Sequence, residues 1–235
     1  MKVWLFVLVS FSMTMHGTND WLAGYTAYVK QDYMSALQIY EQCPQKNAAA
    51  WYMMGNCAYK LEQYPQALIY WHRAQRNAPV RVLIDSAYNI HTVKQELGHM
   101  KDGFWQSMSW YSTLGVRITP LIFLQLFVLL IWYLLFFIWW QSNDGKRRTK
   151  MVLCAMSLCI SVGLLAFKYS QDNKQIAVAI SDGAMLFAGP DESYSSIGNV
   201  EKASELEIYH TREHWYKIGF QGRRGWVRKD SVTVV

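Results

Sequence analysis

The sequence predicts a multidomain chain: an all-α helical-repeat region, a two-helix transmembrane hairpin and a small C-terminal all-β barrel. Three observations predict it. Residues 118–140 form an apolar run, and a second run over 151–168 follows after the short stretch 141–150. Residues 24–43 fall on 55–74 when the chain is slid against itself by 31 positions. From Gln175 onward, short β-prone runs alternate with turn residues.

At ~1.5 Å rise per residue, the run Ile118 to Trp140 spans about 34 Å as a helix, enough for a ~30 Å hydrocarbon core. The run Met151 to Phe167 reaches about 25 Å and needs Lys168 and Tyr169 as snorkelling and interface residues. Between them Lys146, Arg147, Arg148 and Lys150 outweigh Asp144. The positive-inside rule keeps such a loop in the cytoplasm, so both flanking regions are expected outside it, with the lipid bilayer as a partner. The N-terminus agrees: Lys2, the apolar Val3 to Val9 and the small-x-small site Ser10-Phe11-Ser12 read as a signal peptide over 1–17. Residues 99–117, with Phe104, Trp105, Trp110 and Tyr111, read either as an interfacial segment or as a plain linker.

The formal charge of +6 is uneven: +3 lies in 141–150 and 0 over 168–235. That basicity is topological and not the footprint of a nucleic-acid binder. Cys43 and Cys57 either pair in an oxidising compartment or remain thiols, while Cys154 and Cys159 read as packing residues of the second span. Histidines 16, 72, 91, 99, 210 and 214 lack metal-motif company, and no phosphate loop or nucleophile elbow is present. No catalysis, metal or cofactor is expected.

Within 20–98 each copy of the repeat reads as two helices joined near Gln31-Asp32 or Glu62-Gln63. Gly24 matches Gly55, Tyr28 matches Tyr59, Tyr33 matches Tyr64, Ala36 matches Ala67 and Tyr40 matches Trp71. The small residues allow close helix approach and the aromatics fill the gaps. One such hairpin cannot bury its apolar face alone, so the copies must stack. The second copy, Trp51-x2-Met54-Gly55-x3-Tyr59 followed by Ala67-x3-Trp71-x2-Ala74-x4-Pro79, resembles the tetratricopeptide repeat. Val80 to Leu97 resembles the opening helix of a third repeat and is expected to cap the stack. The resemblance implies a protein-binding concave face carrying Tyr25, Tyr28, Tyr52, Asn56, Tyr59 and Lys60; the alternative is that these aromatics pack between helices. Trp21 stands where the family's carboxylate clamp begins with lysine, so no such clamp is expected.

In 172–235, runs are expected at Ile176 to Ile180, Ala184 to Phe187, Glu205 to Tyr209, Trp215 to Phe220, Gly225 to Arg228 and Val232 to Val235. Phe220 to Trp226 reads as a hairpin turn. Ala188-Gly189-Pro190-Asp191, His214-Trp215-Tyr216-Lys217-Ile218 and Gly222-Arg223-Arg224-Gly225-Trp226-Val227 resemble the bacterial SH3-like domain. Lys202-Ala203-Ser204 departs from it where members usually carry glycine, and an altered turn is expected there. The resemblance implies binding of cell-wall (peptidoglycan) peptides or of a protein. Candidate ligand residues are Tyr194, Trp215, Tyr216 and Trp226, with core packing the alternative for the two tryptophans.

The order of signal sequence, repeats, two spans and SH3-like barrel resembles the BatE-type proteins of bacterial aerotolerance operons. That resemblance implies a bacterial inner-membrane location with both domains outside the cytoplasm. It implies partners that are membrane-anchored von Willebrand factor A-domain proteins, an AAA+ ATPase on the cytoplasmic side, and a scaffold or adaptor role in envelope stress tolerance. Binding of the cell wall by the barrel is the alternative.

Overall fold

The computed structural model describes residues 21–76, 78–99, 115, 121–141, 147–220 and 222–235. The expected signal peptide and nearly all of the 99–117 linker lie outside them. The chain forms two compact units: Met1–Asp102 with Gln175–Val235, and Gly103–Lys174.

In the first unit, α1 is described over 21–29, followed by α2 (Tyr33–Gln42), α3 (Ala48–Lys60), α4 (Tyr64–Ala74) and α5 (Val80–Glu96). The repeat is legible in the backbone. Gln31 and Glu62, 31 residues apart, both adopt left-handed geometry (φ 65° and 60°) at the turn between paired helices. Each side chain there costs roughly 1–2 kcal/mol, so the tight reversal is being held by packing on either side. Asp32 caps α2 by accepting from Ser35 N at 3.2 Å, and Asn47 caps α3 by accepting from Ala50 N at 2.8 Å. Helix α4 has no side-chain cap and instead carries Pro65 in its first turn, where no donor is needed. Helix α5 ends on Gly98 (φ 70°), with His99 N donating to Lys94 O at 2.9 Å.

The glycines explain the helix approach. A Cβ on Gly24 would strike the Tyr40 ring at 2.8 Å, and one on Gly55 would strike the Trp71 indole. The same small-under-aromatic contact therefore recurs 31 residues on. Cys43 and Cys57 are both buried and form no disulfide, and burial pushes the Cys57 thiol up to about 12.

The second unit holds α6 (Leu121–Gln141) and α7 (Arg147–Asp172). The expected two-span hairpin, and the membrane location built on it, are corrected here: among the described residues no helix is long and apolar enough to cross a membrane. Helix α7 opens on Arg147-Arg148-Thr149-Lys150, which leaves it an apolar part of about 25 Å. Cys159, expected to pack, is exposed.

Residues 176–234 form one antiparallel sheet: β1 (Ile176–Ala179), β2 (Ala184–Phe187), β3 (Ser196–Val200), β4 (Glu205–Thr211), β5 (Trp215–Phe220), β6 (Arg223–Arg228) and β7 (Val232–Val234), the last preceded by a 3-10 turn at Lys229–Ser231. The spatial order is β3-β2-β6-β5-β4-β1-β7. Every strand contributes to one core, with Ala177, Leu186, Val200, Leu206, Ile218, Val227 and Val232 all buried, so the sheet curls around its own interior. The sequence missed only β3, whose Ser196-Ile197-Gly198-Asn199 lacks a β-branched run. The β5–β6 hairpin is present, with Gly222 at φ 78°.

The helical stack and the sheet share a second core. Ala67, Leu68, Trp71, Ile90 and Val93 cluster with Val178 and Ala203, and Ile180 and Val235 pack against them. Ala203 decides how this works. Its φ is 62°, the left-handed geometry that a glycine takes without strain. The retained methyl is 3% exposed and sits in the shared cluster.

Candidate protein-binding surfaces

Helices α3 and α5 each turn an amide toward a common groove. Asn56 Oδ1 accepts from Trp71 Nε1 at 3.0 Å and from Asn89 Nδ2 at 3.1 Å, which locks both amides in orientation. Around them Tyr28, Tyr52, Tyr59, Lys60, Tyr88 and Thr92 line a cavity of about 270 Å³. Tyr59 OH donates to Glu96 Oε1 at 2.9 Å, and that hydrogen bond, more than burial, raises its pKa. Tyr28 is also raised, chiefly by burial. Neither phenol ionises near neutral pH, so the wall is neutral, aromatic and amide-bearing, with Lys60 as its cation.

Of the six residues expected on the concave face, Tyr28, Tyr52, Asn56, Tyr59 and Lys60 meet in this groove. Tyr25 is exposed and does not line it. Sequence reasoning missed Tyr88, Asn89 and Thr92. Their signal was the partial third repeat: Asn89 lies 33 residues beyond Asn56, two more than the internal offset, and α4 is one residue longer than α2 while the connections that follow them are equal in length.

The four candidates in the sheet do not converge. Trp215 and Trp226 point outward, and Trp215 meets Phe187 edge-on at 5.4 Å. Tyr216 turns inward against the core with Lys229 over its ring at 5.1 Å. Tyr194 lies on the β2–β3 loop, its ring occupying the space above Gly189. Trp226 is 8% exposed because Arg212, Lys217 and His210 surround it, at 5.5, 5.9 and 6.2 Å between centres.

Where stack and sheet meet, Glu205 at the start of β4 receives His72 Nε2 on one oxygen and Lys94 Nζ on the other, both at 2.8 Å. His99 pairs with Glu201 at 3.2 Å nearby. Among the described residues no group of three or more His, Cys, Asp or Glu could hold a metal ion.

The strands from β2 onward, with the 3-10 turn before the last, lie in the segment that the family comparison matches, and β1 lies just before it. Residues 182–233 match the family model described as the bacterial SH3 domain. The SH3-like domain is thus shown for the C-terminal part of the chain. Among solved structures, NlpC2 from Trichomonas vaginalis is similar at 20% identity and a TM-score of 0.24, over 25% of this chain and 23% of that one. The present chain thus spans under a quarter of that structure's length. Comparison with curated proteins gives no match.

Proposed function

We propose that the chain is a non-catalytic binding scaffold, in which the helical groove takes a segment of a partner protein and the SH3-like domain supplies a second binding module. The observation that carries this reading is the groove itself. Six tyrosine and amide residues from three helices converge on a cleft of about 270 Å³ with pre-oriented amides and Lys60 as its cation, suited to one or two side chains of a peptide. Such walls bind by apolar contact and hydrogen bonding, without chemistry. The tetratricopeptide and BatE-type resemblances make the partner a von Willebrand factor A-domain protein in a stress-tolerance complex.

The test is co-purification of the tagged full chain after cross-linking in cells. Recovery of an A-domain protein from the native chain, and its loss from Tyr88→Ala, supports the reading. Equal recovery from both chains refutes it. The match of 182–233 to the bacterial SH3 domain favours a second reading, binding of peptidoglycan peptides. Retention of the chain on purified sacculi, unaffected by Tyr88→Ala, would favour it.

A further inference from the structure

The outer face of the SH3-like sheet carries cations that its own carboxylates do not neutralise. Alternation sends Ile218 and Val227 inward, and leaves Lys217 opposite Trp226 and Arg224 opposite Gly219. Tyr209, the extra residue of a bulge in β4, lies across Gly219 and supports the Arg224 guanidinium at 5.0 Å from its ring. Arg212 and Lys217 rest on Trp226, with His210 at its edge. Among the described residues none of these three cations has a carboxylate at ion-pair distance, whereas Arg228 on the same strand as Arg224 is paired with both Glu192 and Asp230. Glu207, cross-strand from Gly219 on this same face, accepts from Tyr209 OH at 2.9 Å.

We propose that this face, centred on Trp226, docks an acidic extended segment of a partner protein, with Arg212, Lys217 and Arg224 as its contacts. Charge complementarity names the sign of the partner. The covered indole names its kind: Trp226, at 8% exposure, offers no open ring for a base or a sugar to stack on. Spacing suits a peptide too. Lys217 and Arg224 are diagonal neighbours on adjacent strands, about 7–8 Å apart by ladder geometry, and alternate side chains of an extended chain recur at about 7 Å. Resting on aromatic rings, the cations are already partly ordered and lose less freedom on binding.

The experiment is fluorescence anisotropy of the full chain with a labelled peptide of about twelve residues alternating Glu and Ser, its Gln counterpart, and an oligothymidylate of equal charge. The Glu peptide should bind about tenfold or more tightly than the Gln one. Arg212→Gln combined with Lys217→Gln should weaken it about tenfold, and Arg224→Gln about threefold. Arg212→Lys, which keeps the charge but loses the guanidinium's stacking on Trp226, should weaken binding less than the double substitution, which separates lost charge from lost fold. Arg81→Gln, far out on α5, should change nothing. Equal binding of the Gln peptide, or indifference to the double substitution, overturns the proposal. Tighter binding of the oligothymidylate, lost in the same variants, overturns it in favour of a nucleic-acid surface.

Discussion

Lys94 Nζ donates to Glu205 Oε2 at 2.8 Å, tying the last full turn of α5 to the first residue of β4. His72 from α4 meets the other oxygen at the same distance, so a single carboxylate clamps two helices to the sheet. Glu205 is only 16% exposed, and the apolar cluster around Val178 and Ala203 lies beside it.

Glu205→Ala should therefore cost about 3 kcal/mol, because it strands a lysine and a histidine in a poorly solvated place. Urea denaturation measures this, with the exposed Lys202→Ala as a comparison that should move stability by less than about 0.5 kcal/mol. Equal effects of the two substitutions would mean that the clamp contributes nothing.

The same carboxylate sets a pH dependence. Burial alone would raise its pKa, but His72 and Lys94 together outweigh burial and hold it well below the ordinary glutamate value of 4.5. A group depressed on folding stabilises fully above its unfolded value and loses that contribution as pH falls toward the folded one. The stability gap between the native chain and Glu205→Gln should be constant from pH 7 to 5 and shrink below 4.5. Urea midpoints at pH 6, 4 and 3 check the sign, and a gap that widens on acidification contradicts it.

Gly55→Ala should destabilise by roughly 1–3 kcal/mol, since the added methyl meets the face of the buried Trp71 indole. Gly98→Ala forms the contrast: nothing lies near its Cβ position, and only the positive φ costs, about 1 kcal/mol. Thermal melts of both should rank them in that order.

Ala203→Val should cost about 2 kcal/mol or more. A β-branched residue resists φ 62°, and its extra carbons have no room at 3% exposure between sheet and stack. Ala203→Gly relieves the backbone but removes a buried methyl, so the two effects should nearly cancel in a denaturant midpoint.

Tyr88 and Asn56 separate binding from folding. Tyr88 is 61% exposed, so Tyr88→Ala should leave the melting temperature within a degree or two while weakening partner capture. Asn56→Ala orphans the Trp71 indole N–H and should lower stability by about 1–3 kcal/mol. Similar melts for the two variants would refute the division.

The helical pairs were legible because their determinants are local and recur: Gly24 and Gly55, Tyr40 and Trp71, and a turn at Gln31 repeated at Glu62. The strands from β4 onward were legible from alternation, and β3 was not, since its two apolar residues, Ile197 and Val200, are three apart with Gly198 and Asn199 between them. Five groove residues could be placed because a helix face follows from spacing within one repeat. Asn89 could not, because it lies 33 and not 31 residues beyond Asn56, in a third repeat that lacks its second helix. The apolar runs at 118–140 and 151–168 were read by length and hydropathy alone, and those two measures overreached what the described helices offer. Nothing local announced that Glu205 would meet His72 and Lys94.

Those three residues also set an order of events. Glu205 follows Lys94 by 111 residues and His72 by 133. At a synthesis rate of ~5–20 residues per second, the stack is complete roughly 5–25 s before its covering exists. For that interval Ile90, Val93 and their neighbours present an uncovered apolar surface. A newly made chain is therefore most vulnerable to sticking and to chaperone capture at α4 and α5, before the first strand has been translated.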